Sequence, residues 1–294
     1  MKNFLSIKNT PAWLQLIYFF LIALGCYLLF SVISIVIPMF SGNFSAMATD
    51  TLSPTMLWII QTITAIGVFI FPALWFSYAR QERVNTFFRL GTRYSNTWLL
   101  WGLLWIVSIP LLGYIVQWNA HISLPASLSS LEQWFRTMEQ AAEQVTNILL
   151  SQNTISGISL NLLIIAVLPA VSEELFFRGV ILRLLSEWWS KKRKTAAAPT
   201  AAAVPATADE TVAITSTNSA MTGKQHTLGL HLAVWVSAII FSAIHFQFFG
   251  FVPRVLLGVL LGYAYIYSGS LLVPIGIHFI NNASAVLLYS STNP

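Results

Sequence analysis

Residues Asn161-Leu-Leu-Ile-Ile-Ala-Val-Leu-Pro-Ala-Val-Ser-Glu-Glu-Leu-Phe-Phe-Arg-Gly179 decide the class of this protein. The run is almost unbroken in apolar residues as far as Val171, then carries two adjacent carboxylates and an arginine. It lies within a longer apolar stretch, 158–189, which exceeds the roughly 20 residues that one bilayer crossing needs. Stretches of the same character recur at 13–38, 55–79, 98–117, 229–249, 252–268 and 270–289. The 294 residues are 56% hydrophobic and 9% charged, whereas a soluble domain carries about 25% charged residues. Mean hydropathy is +0.71. A soluble globular enzyme is excluded. The sequence predicts an all-α polytopic transmembrane helix bundle with seven or eight spans, eight if Pro169 divides the 158–189 stretch.

Lysines and arginines orient the bundle. Loop 39–54 has none, the next holds Arg80, Arg83, Arg89 and Arg93, loop 118–157 has only Arg136, and Lys191-Lys192-Arg193-Lys194 follows the fourth stretch. The alternation predicts a cytoplasmic N-terminus in an integral membrane protein of bacterial plasma-membrane type. The first apolar stretch, about 13–40, is longer than a signal-peptide core of roughly 7–15 residues and reads as an uncleaved span. Net charge of +5 serves orientation, and nucleic acid is not an expected partner. The single cysteine, Cys26, excludes an intrachain disulfide and any zinc site built on two cysteines.

Residues 195–226 are rich in Ala, Thr, Pro and Ser and cannot bury enough surface to offset the entropy of ordering. They read as a cytoplasmic linker. The organisation predicted is N-terminal membrane helices and an outer amphipathic segment over 1–157, then catalytic helices over 158–294 interrupted by that linker. Residues 126–150 read as an amphipathic helix lying on the outer membrane surface.

An ionisable side chain within a span is costly and marks a functional site or an internal pair. Glu174 and Arg178 stand at i and i+4, with the acid N-terminal, so they can pair on one helical face. Glu173 points about 100° away and has no local partner. One carboxylate is structural and the other is free to work. Phe241 and His245 stand one turn apart on the fifth stretch, and His278 and Asn282 one turn apart on the last, with Asn281 off that face. A carboxylate and an imidazole can together deprotonate a water, and an imidazole and an amide can stabilise an oxyanion. The same Glu173, His245 and His278 could instead hold zinc with an open fourth position.

These three elements resemble the CPBP family of intramembrane proteases, the CAAX prenyl endopeptidase type II and bacteriocin-processing (Abi) group. Its motifs, Glu-Glu-x-x-x-Arg, Phe-x-x-x-His and His-x-x-x-Asn, stand here as Glu173-Glu174…Arg178, Phe241…His245 and His278…Asn282. The resemblance covers about 160–290. It implies that Glu173 and His245 activate the water, that His278 and Asn282 stabilise the oxyanion, and that Glu174, Arg178 and Phe241 shape the site. The family has been described both as glutamate and as metallo-proteases, so zinc stays open. The implied activity is hydrolysis of a peptide or membrane-protein substrate reaching the site from the bilayer or the cytoplasmic face.

Two other readings compete: a non-catalytic membrane scaffold of the same fold, and a proton-coupled transporter using Glu173 and the histidines as a relay. Elsewhere, His121 and His226 read as solvated, His231 as interfacial, and Pro253-Arg254 as the anchor of an outer turn. Gly258 and Gly262 have a spacing suited to close helix packing. Trp188-Trp189 mark a membrane interface.

Overall fold

The structure, a computed structural model, describes residues 6–40, 53–91, 97–196 and 227–292. Arg93, His226 and nearly all of the 195–226 linker lie outside the described residues. The rest is helical: α1 (Ala12–Phe40), α2 (Pro54–Ala79), a single turn α3 (Val84–Phe87), α4 (Thr97–Ala120), α5 (Ser129–Leu150), α6 (Ile155–Ser190, continuing to Ala196), α7 (Thr227–Ala243), α8 (Phe251–Ser268) and α9 (Leu272–Thr292). Among the described residues, six helices (α1, α2, α4, α6, α8 and α9) are long and apolar enough to cross a membrane, and α7 is a shorter apolar helix.

Local chemistry sets the boundaries. Ser53 Oγ accepts the N–H of Met56 at the start of α2, with Pro54 following, and Thr154 Oγ1 accepts that of Gly157 at the start of α6. Both are N-caps that satisfy an otherwise orphaned donor. Gly269, with φ of 68°, ends α8 in the left-handed conformation that glycine adopts without a steric penalty.

α6 is the axis of the bundle, packing against α1, α2, α8 and α9. Pro169 does not divide it. Two π-helical stretches, Leu162–Val167 and Leu175–Leu182, flank an α-helical segment, Leu168–Glu174, that opens with the proline. The chain stays helical through the residue that removes a backbone donor. The core around α6 is largely aromatic: Phe19, Phe76, Phe87, Phe88, Phe176, Phe177 and Phe241 are all buried in one cluster. α1 and α4 turn many large apolar residues outward, including Leu21, Leu28, Val107 and Leu111. Such surface has no stable place in water, and it suits a lipid-facing helix.

At the linker end of α6, four charges close on one another. Arg80 donates to Glu82, Glu187 and Gln15, while Arg183 donates to Glu187, Glu82 and the carbonyl of Phe87. Arg80 therefore does more than orient the chain: it ties α1, α2 and α6 together.

Candidate active site

The site is built outward from Glu174, which is fully buried. Its Oε1 accepts Arg178 Nη1 at 2.8 Å and His278 Nδ1 at 2.9 Å. Arg178, also buried, donates from Nη2 to the carbonyl of Gly258 at 3.0 Å, and its guanidinium lies 4.8 Å from the centre of the Phe241 ring. Glu174 thus joins α6 to α9, and Arg178 joins α6 to α8. The i, i+4 pair expected from the sequence is present. Removing one partner of a buried pair leaves the other uncompensated, at a cost of about 3–5 kcal/mol.

Glu173 faces the other way. It lines a cavity of about 390 Å³ together with Phe241, His245, Arg254, His278, Asn281 and Asn282, and Leu112 and Val116 of α4 form an apolar wall. That volume falls within the range of small-molecule and peptide-side-chain pockets. Glu173 Oε2 stands 3.9 Å from His278 Nε2. Since His278 gives its Nδ1 proton to Glu174, the nitrogen turned toward Glu173 is the one free to act. A second depression, about 550 Å³, lies between α5 and Tyr289 and shares no lining residue with this cavity.

His245 is not on a span. α7 ends at Ala243, and His245 falls in the turn that follows, next to Phe246 at φ of 53°. The expectation of a fifth stretch running to 249 is corrected here, and with it the placing of Phe241 and His245 on one helix. His245 Nδ1 meets the carbonyl of Phe241 at 2.8 Å. A carbonyl only accepts, so Nδ1 carries the proton and Nε2 keeps its lone pair. The side chain serves as a C-terminal cap for α7 and is thereby fixed in tautomer. Phe241 presents its ring edge-on to both imidazoles, with centroids 5.2 Å from His245 and 6.1 Å from His278.

The His245 turn is held from three sides, none of which the sequence reading weighed. Asn119, buried at the end of α4, donates to the carbonyl of Phe248 and accepts the N–H of Val252, both at 3.0 Å. Ser242 Oγ donates to the carbonyl of Phe251 at 2.8 Å. α5 covers the turn: Phe135 stacks on Phe248, Arg136 lies over Phe249, and Glu139 accepts the N–H of Phe249 at 3.3 Å. The amphipathic helix expected on the membrane surface therefore packs on a loop of the site. Asn119 carried a faint signal, as a lone amide just past an apolar run.

Asn282 Nδ2 donates to the carbonyl of Ile165 at 3.2 Å, and its Oδ1 accepts from Asn281. Pro169 has no N–H to offer the oxygen four residues back, which is that of Ile165, so the amide meets a need the proline creates. Arg254, read as an anchor of an outer turn, lines the cavity instead. His231 pairs with Tyr263 at 2.7 Å, away from this cluster. Among the described residues, no three His, Cys, Asp or Glu side chains are grouped closely enough to hold a metal ion. Glu173, His245 and His278 line one cavity, but their arrangement does not fit a zinc site.

Compared with known families, residues 155–208 and 218–284 match the model of type II CAAX prenyl endopeptidase, Rce1-like. These stretches cover less than half of the chain and contain all three motifs. The match supports the resemblance to the CPBP family and, in general terms, a CAAX-protease-like intramembrane endopeptidase. No curated protein and no solved structure matches the chain.

Proposed function

From a C-terminal half similar to type II CAAX prenyl endopeptidases, we propose that this protein hydrolyses a peptide bond inside the bilayer. Glu173 and His245 activate a water, and His278 and Asn282 steady the oxyanion. The observation that carries this reading is the division of labour between adjacent carboxylates. Glu174 is fully buried, bonded to Arg178 and His278, while Glu173 turns into a cavity shared with His245. A structural cluster has no use for a second carboxylate facing open volume.

In the proposed step the water gives its proton to Glu173, with His245 Nε2 orienting it through its lone pair. The hydroxyl oxygen bonds to the scissile carbonyl carbon, and the former carbonyl oxygen takes the negative charge. Collapse of the tetrahedral intermediate breaks the C–N bond and returns the proton to the leaving amine. His278 Nε2 donates to the oxyanion when the ring holds its second proton. Asn282 can donate by releasing the Ile165 carbonyl.

The cavity lies at the α7–α8 turn, remote from Thr227 by about 25 Å of helix at 1.5 Å per residue. With the linker cytoplasmic, a peptide reaches the cavity from the bilayer or the opposite face rather than from the linker side.

The test is cleavage of a quenched peptide library by detergent-purified protein. Wild type cleaves with or without a chelator, and Glu173→Gln does not. Loss of cleavage with chelator and its recovery with zinc would overturn the metal-free mechanism. Undiminished cleavage by Glu173→Gln would overturn the role of Glu173.

A further inference from the structure

Arg254 is a cation without an anion. It stands in the first turn of α8 and lines the cavity with Glu173, His245 and His278. Its Nη2 donates to the neutral amide oxygen of Gln247. Its Nη1 is buried with no hydrogen-bond partner among the described residues. The other arginines with printed ion pairs, Arg80, Arg136, Arg178 and Arg183, each have a carboxylate within 3.0 Å. Among the described residues no carboxylate comes within 4.0 Å of Arg254. The carboxylates whose charge reaches it are Glu139 and Glu173. Glu139 accepts the N–H of Phe249, and Glu173 faces His278.

The guanidinium is also given room. A Cβ on Gly250 would stand 3.1 Å from Arg254 Nη2, so glycine at 250 lets the planar group lie close to the turn. A desolvated guanidinium beside a cavity strongly favours an acceptor, and its fork of donors matches a carboxylate.

We propose that Arg254 anchors a carboxylate of the peptide substrate within the cavity, whether the C-terminal carboxylate or an acidic side chain. This assignment rests on the protease reading for the identity of its ligand as a substrate. It makes Arg254 a specificity residue: the peptide is held by its charge while Glu173 and His245 act on a bond nearby. The apolar wall of Leu112, Val116 and Leu257 accepts uncharged side chains alongside.

The test measures binding without turnover. Three dansylated Gly-Val-Leu-Leu probes are titrated against detergent-purified Glu173→Gln: the free acid, the C-terminal amide, and the amide with its third residue replaced by Asp. One or both carboxylate probes bind more tightly than the neutral amide, by about tenfold or more, as a charged hydrogen bond gives. The probe that does so identifies the source of the charge. Adding Arg254→Gln abolishes the preference while leaving the neutral probe bound, which shows that the cavity is intact, and Arg254→Lys keeps part of it. Equal binding of all three probes, binding of none, or a preference surviving Arg254→Gln overturns the proposal. Cleavage of the same probes by wild type reads the protease separately: a carboxylate preference without cleavage removes the hydrolytic reading and leaves the anchor.

Discussion

His278 Nδ1 donates to Glu174 Oε1 across 2.9 Å, joining α9 to α6 through one buried hydrogen bond. This bond orients an imidazole of the cavity by means of a carboxylate that itself never faces it. The two neighbouring glutamates should therefore fail differently. Glu174→Gln leaves Arg178 buried without its counter-charge and should lower stability by about 3 kcal/mol or more. Glu173→Gln should stay within about 1 kcal/mol of wild type and lose cleavage. Thermal unfolding in detergent, run beside the cleavage assay, separates the two; a stable and active Glu174→Gln would remove Glu174 from the framework.

Asn119 holds both sides of the turn that carries His245. Asn119→Ala strands the carbonyl of Phe248 and the N–H of Val252, each worth about 1–3 kcal/mol when left unpaired. Stability should fall by that order, and kcat should drop more than KM rises, because His245 loses its placement. A variant that is less stable but turns over normally per folded molecule would confine Asn119 to a scaffold role.

Gly258 sits where α7 and α8 touch. A Cβ there would lie 2.9 Å from Ala238 Cβ and 3.1 Å from its Cα, so Gly258→Ala must push the two helices apart. The expected cost is about 1–3 kcal/mol. It also shifts the carbonyl that receives Arg178 Nη2. Ala238→Gly in the same chain should restore part of the loss, since it removes the shorter contact and leaves the longer. Absence of any rescue would mean that the crossing is not what Gly258 protects.

Outside the spans, Glu132 is held below the ordinary glutamate range, chiefly by the N–H of Leu124 and then by Arg136. A depressed carboxylate contributes stability above its unfolded value and loses it as pH falls through its folded value. Protection of the Leu124 amide against hydrogen exchange, corrected for intrinsic rate, should therefore decline in acid below the glutamate range. Glu132→Gln should flatten that dependence. An unchanged pH profile in Glu132→Gln would show that another group controls the loop.

Much of the architecture was legible because hydrophobic runs of bilayer length leave few alternatives, and the starts of α2 and α6 follow a serine and a threonine that cap them. The pairing of Glu174 with Arg178 was legible from helical spacing alone. His278 as a second partner of Glu174 was not, since sequence spacing carries no information across 104 residues. The end of α7 was misplaced because residues 246–249 are aromatic and continue the apolar pattern, while the chain there turns under Asn119 and α5. Arg254 was missed for a similar reason: a charge near the end of an apolar run looks interfacial until the fold shows which volume it borders.

The π stretches of α6 have a bearing on how relatives of this chain can be recognised. A π turn amounts to an α turn holding one surplus residue. Loss of any single residue from Leu162–Val167 would restore a plain α-helix and rotate all that follows by about 100° relative to all that precedes. Either the segment before the loss or Glu173 itself would then swing out of register with the cavity, although every motif would still read correctly along the chain. In such a descendant the letters of the active site would survive the loss of its geometry. Competence here depends on a count of residues that no motif contains.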